Sequence, residues 1–192
     1  IELETSAPVD DILVGTSATG FCFINVKKGV TTSTKSDSPL ASVVDQFVRL
    51  WIACQSGRST RSWQRPLEVS KDRVVLVTGG GRSTTFTAAL SKVLGRIDDR
   101  ASIARDAVTS TEPERAAYDA VVQLLRLAFH RHTGTEGSND AITSLLRLTR
   151  VAFLDPDGRD KANGLTLLKN AVVADPADAE RWSSLPESAK RP

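Results

Sequence analysis

Two apolar runs separated by a short loop of small and polar residues constrain this chain most. Asp10-Asp11-Ile12-Leu13-Val14 and Phe21-Cys22-Phe23-Ile24-Asn25-Val26-Lys27 have strand length and strand composition, and Thr16 to Gly20 between them suits a turn. Residues 11–15 and 21–27 therefore predict a hairpin. Side chains alternate along a strand, so Asn25 and Lys27 share one face while Ile24 and Val26 take the other. The first strand opens on paired carboxylates, and the second ends with an amide and an ammonium two residues apart. Oxygen ligands beside a cation suit a divalent ion next to a phosphate. The competing reading is a strand that surfaces at its end and carries polar residues for solubility.

The pattern around the hairpin alternates between strands and helices. Ile1-Glu2-Leu3-Glu4 reads as a short strand, Thr5 to Pro8 as a turn and residues 29–39 as an exposed loop rich in Thr, Ser and Lys. Ser38-Pro39 starts a helix, with Ser38 as N-cap and Pro39 in the first turn. Leu40, Val43, Val44, Phe47, Val48, Trp51 and Ile52 then repeat at helical spacing. Arg73 to Thr78 is a continuous apolar strand of the kind found in parallel pairings. Gly79-Gly80-Gly81 turns the chain into a helix over 83–97. This alternation argues for α/β, a mixed central sheet flanked by helices. From Glu112 the pattern becomes helical, over 113–132 and 139–148. Val151 to Leu154 reads as one more strand, and Gly164 to Ala174 as a helix stopped by Asp175-Pro176. The organisation expected is an α/β core over 1–100 and a helical extension over 101–192 that packs on it and ends in a linker.

Composition removes several functional classes. The net charge of +2 gives no global field for a polyanion, so nucleic-acid affinity has to come from a local patch. Cys22 and Cys54 sit in apolar surroundings without a second ligand at metal spacing, which suits a reduced, cytoplasmic setting. No apolar run approaches the roughly 18 residues that span a bilayer, and no signal peptide is visible. Methionine is absent and the chain opens as if in mid-strand, which reads as a piece of a longer polypeptide.

Other motifs fall short of their chemistry. Gly79-Gly80-Gly81-Arg82-Ser83-Thr84-Thr85 joins a strand to a helix, the context of a phosphate loop. It lacks the Walker lysine, and Thr84 stands where the dinucleotide motif needs its last glycine. The preferred reading is a flexible strand-to-helix turn, with Arg82 kept as a candidate contact to a nucleic-acid phosphate. His130 and His132, two apart near a helix end, suit the helix dipole better than a metal site. No G-x-S-x-G elbow supports Ser/His/Asp catalysis. Arg58, Arg61 and Arg65 around Trp63 are either a phosphate-contacting patch with a stacking ring or a solvated loop.

The chain resembles the PD-(D/E)xK endonuclease domain of bacterial anti-phage defence proteins, of the kind found in CD-NTase-associated effectors and fused to large signalling ATPases. The resemblance rests on Val9-Asp10-Asp11-Ile12-Leu13-Val14, Phe23-Ile24-Asn25-Val26-Lys27-Lys28, Thr32-Ser33-Thr34 and the helix from Ser38 to Val48. Arg73 to Thr78 with its following helix, and Val173-Ala174-Asp175-Pro176 before Glu180-Arg181-Trp182, extend it.

That resemblance implies a restriction-endonuclease-like fold whose opening helix lies upstream of Ile1. It implies Mg²⁺-dependent cleavage of double-stranded DNA, with a regulatory or sensor domain in the same polypeptide and homo-oligomerisation as a route to control. Asp11, with Asp10 as its rival, matches the first metal-binding acid, and Lys27 the lysine that orients water or steadies developing charge. Asn25 occupies a position usually held by Asp, Glu or Gln. It keeps a carbonyl oxygen but is uncharged and shorter, which matters for an ion that wants oxygens at about 2.0–2.1 Å. Gln46 matches a glutamine of the family, and Glu4 or Glu2 adds a further oxygen. Lys28, Arg58, Arg61 and Arg82 are the DNA-contacting candidates. The alternative is a nuclease fold that has lost cleavage and binds DNA or a protein partner. A P-loop-like ATPase fails on its motif.

Overall fold

A computed structural model describes residues 7–9, 11–16, 19–27, 29–31, 33–56, 61–79, 84–99 and 103–154, together with the backbone of 2–3. The elements in chain order are β1 (Glu2–Leu3), β2 (Ile12–Gly15), β3 (Phe21–Lys27), α1 (Pro39–Gln55), β4 (Arg73–Gly79), α2 (Thr84–Asp99), α3 (Arg105–Val108), α4 (Glu112–Thr133), α5 (Asn139–Leu148) and β5 (Thr149–Leu154). The helix expected over Gly164 to Ala174 lies outside the described residues.

The predicted hairpin is present. Leu13 faces Phe23 and Ile12 faces Ile24 in the antiparallel β2/β3 pair. β1 adds antiparallel to β2. β4 lies parallel to β3, with Asn25 opposite Leu76 and Lys27 opposite Thr78. A parallel neighbour requires a crossover, and α1 lies within that connection. The strand order is β1-β2-β3-β4-β5, a mixed sheet in an α/β fold.

Helix boundaries follow local chemistry. The Ser38 hydroxyl accepts from the Ala41 N–H at 3.2 Å and caps α1, with Pro39 opening the helix. α4 begins with a capping box: the Thr111 hydroxyl accepts from the Glu114 N–H, and the Glu114 carboxylate accepts from the Thr111 N–H. α4 ends on Gly134, whose φ of 76° is left-handed.

The sheet's two faces are unequal. Leu13, Phe23, Val74 and Leu76 are buried on one face, and Leu76 meets a small apolar void lined also by α1, α2, α4, α5 and β5, including Val44, Leu90, Leu125 and Val151. One hydrophobic core thus joins the sheet to all four long helices. The other face carries Ile12, Val14, Ile24, Val26, Val75 and Val77, half-buried or exposed, with Val26 at 42%. The continuous apolar run of β4 does mark a parallel strand, yet it is fully buried on one face only.

Two loop expectations are corrected. Within 29–39, Val30 is fully buried and joins the core. Trp63 is buried edge-on against Phe23 at 6.1 Å between ring centres, so it offers no stacking surface. No helix among the described residues is long and apolar enough to cross a membrane.

Candidate functional site

Strand register assembles the candidate site. Opposed residues of a sheet share a face, so Asn25 and Lys27 lie on the buried face with Phe23 and Leu76. Extended by one residue, the β2/β3 register brings Asp11 across from Asn25. The Val26 N–H donates to Asp11 Oδ2 at 2.7 Å, which ties the carboxylate to β3 beside Asn25 and closes the start of β2. Lys27 is half-buried at the end of β3 and level with Thr78, which is buried.

Asn25 is fully buried, so it is not a solubilising residue at a surfacing strand end. Its Nδ2 donates to Gln46 Oε1 at 2.5 Å. Gln46 sits in the middle of α1, two turns beyond Ser38, and the same amphipathic pattern that buries Val43 and Phe47 carries it over the sheet. The structure thereby brings together residues from two elements that the sequence reading assigned to one site. Asn25 Oδ1 is also buried and has no hydrogen-bond partner among the described residues.

Glu4, Asp10, Lys28, Arg58 and Arg82 lie outside the described residues. Arg61 is exposed, and its backbone N–H donates to Gln64 Oε1. Arg65, a member of the same arginine run, is committed elsewhere. It forms a two-pronged pair with the fully buried Asp72 at 2.7 and 2.9 Å, donates to the Thr19 carbonyl and lies over the Phe21 ring. Burial opposes the charge on Asp72, but Arg65 and the N–H groups of Glu68 and Phe21 outweigh it and hold the carboxyl below its ordinary range. Sequence reasoning missed Asp72; an acid directly before an apolar strand was its only local signal. His132 pairs through Nε2 with Asp45 Oδ1 at 2.9 Å, and Arg131 shares that oxygen at 2.7 Å. These two side chains clasp the end of α4 to α1.

The oxygen set bears on Mg²⁺. Among the described residues no cluster of three or more His, Cys, Asp or Glu side chains could hold a metal. Asp11 and the unpartnered carbonyl oxygen of Asn25 nevertheless match the ion's preference for a few protein oxygens, with water and phosphate oxygens filling the remaining positions. In donor type these two residues are compatible with Mg²⁺.

No protein-family model matches the chain, and neither does any curated protein or solved structure.

Proposed function

We propose that this chain is a restriction-endonuclease-like, metal-dependent endonuclease domain that hydrolyses DNA phosphodiester bonds in bacterial anti-phage defence, under control of a regulatory or sensor domain in the same polypeptide. The observation that carries the reading is the Asp11, Asn25 and Lys27 face, with a buried acceptor of Asn25 left unpaired and Gln46 bonded beside it. Asp11 and Asn25 would hold Mg²⁺. When bound, the ion's contribution is to polarise the phosphoryl oxygen and lower the pKa of a bound water. Lys27 supplies a fixed positive charge where negative charge develops on the phosphorane-like oxygens. Lys28, Arg58, Arg61 and Arg82 are the proposed contacts to the duplex backbone. No covalent nucleophile is required of the chain.

The test is cleavage of supercoiled plasmid by the full chain in Mg²⁺ and in EDTA. Nicking that needs Mg²⁺ and is lost in Lys27→Ala is the expected result. Absence of cutting, or equal cutting by Lys27→Ala, overturns the proposal. Asn25 gives a second reading its footing, because an amide in place of a carboxylate weakens ion binding. In that reading the fold has lost cleavage and binds DNA or a protein, and Asn25→Glu gains Mg²⁺-dependent nicking that the wild type lacks. Binding that weakens steeply with salt marks DNA as the partner, and a flat response marks a protein.

A further inference from the structure

We infer that Gln46 is a positioning residue that fixes which end of the Asn25 amide faces the ion. The inference rests on the metal-site reading above. An amide presents an acceptor at one end and donors at the other, and turning it over exchanges the two. Gln46 Oε1 accepts from Asn25 Nδ2. A carbonyl oxygen can only accept, so this bond commits the NH₂ group of Asn25 to α1 and leaves Oδ1 as the end turned away from Gln46 Oε1. That oxygen is the buried, unpartnered acceptor of the site. Turned over, Asn25 would set oxygen against oxygen at Gln46 and offer a cation its NH₂ group. An unpaired buried acceptor is costly, and a cation relieves that cost best where water is excluded. α1 is anchored for this task by its Ser38 cap at one end and by the Asp45 clasp to α4 next to Gln46.

An aspartate at position 25 has two equivalent oxygens and no orientation to fix, which supplies the control. Mn²⁺ affinity of the full chain, read by titration calorimetry, is compared for wild type, Gln46→Met, Asn25→Asp and the double variant. Gln46→Met is expected to weaken Mn²⁺ binding about 3- to 10-fold, the size of one neutral hydrogen bond. In the Asn25→Asp background the same substitution is expected to change it less than about twofold. Equal loss in both backgrounds makes Gln46 a direct ligand or a merely structural residue and overturns the inference. No loss in either background overturns it too.

Asp11→Asn separates the two levels of the argument. If Mn²⁺ affinity ignores Asp11→Asn, the metal site itself fails. If it falls with Asp11→Asn but not with Gln46→Met, only the positioning role fails. The side-chain amide protons of Asn25, assigned by their disappearance in Asn25→Asp, give a readout free of metal. One of them is expected downfield in wild type and shifted back in Gln46→Met. An unchanged pair overturns the proposed orientation. Gln46→Leu repeats the acceptor removal should Gln46→Met not fold.

Discussion

Glu114 gives the sharpest stability prediction. Its side chain is 4% exposed and receives Arg96 Nη1 at 2.6 Å, with backbone N–H groups of Ser110 at 2.7 Å and Thr111 at 3.3 Å. Arg96 also donates to the Val108 carbonyl, so one ion pair holds α2, α3 and the start of α4 together. Arg96 first, then the Ser110 N–H, pull the carboxyl from its ordinary 4.5 down to about 2. That difference corresponds to roughly 3 kcal/mol in favour of the folded state. Arg96 remains 31% exposed, and solvent screening trims the figure to about 2–3 kcal/mol. Because the folded carboxyl titrates below the unfolded one, the contribution is complete above about pH 4.5 and disappears as pH falls towards 2. Glu114→Gln removes the charge at nearly constant shape. At pH 7 it is expected to lower Tm by roughly 5–10 °C for a chain of this size. The gap between wild type and variant, followed by thermal melts from pH 7 to pH 2.5, should narrow only below about pH 4.5. A gap that stays constant across that range, or one smaller than about 2 °C at pH 7, refutes the reasoning.

The thiols and two glycines give further tests. Burial first, then the charge of Asp72, push the Cys54 thiol up to about 12, so a thiol reagent at pH 8 is expected to leave Cys54 unmodified until denaturant is added. Cys22→Ser isolates that site, and native labelling of the remaining thiol at a free-cysteine rate would contradict its burial. Gly134 and Gly137 both have left-handed φ, at 76° and 78°, but only at Gly137 would a Cβ meet the Phe129 ring, at 2.7 Å. Gly134→Ala should cost about 1 kcal/mol and Gly137→Ala about 2–3 kcal/mol in urea unfolding. Equal costs would show that the Phe129 contact is unimportant.

Local rules made most of the fold legible. The Ser38-Pro39 start, the apolar spacing of α1 and the Thr16 to Gly20 turn all depend on residues within a few positions of one another, and each has its counterpart in the structure. α5 ends at Leu148 as expected, where its chemistry switches to the β-rich Thr149–Leu154. What escaped was set by distant partners. Trp63 and Arg65 read as an exposed patch because nothing nearby in the sequence announces Phe23 and Asp72 as their neighbours. α3 is a single turn of Arg105–Val108, too short for any periodicity to reveal. The Thr111-x-x-Glu114 capping signature is local but went unread, and its partner Arg96 lies on another helix and carries no motif.

The candidate site divides along the same line. Alternation along β3 was enough to put Asn25 and Lys27 on one face, since the period of a strand is fixed by its backbone. Alternation does not say which face is inside. The polar pair sits on the core side, and the apolar Val26 points outward, because α1, α2, α4 and α5 all gather over Leu76. An amide on a strand's inner face costs stability unless it is paired, and only half of Asn25 is paired. Replacing it with Leu, close in size and free of polar atoms, separates structure from function. If Asn25 serves the fold, Asn25→Leu breaks its one bond to Gln46 and melts lower. If it is kept for a ligand, removing the unsatisfied oxygen raises or preserves Tm while abolishing Mn²⁺ binding, and a melting temperature that falls by more than about 5 °C would count against the ligand.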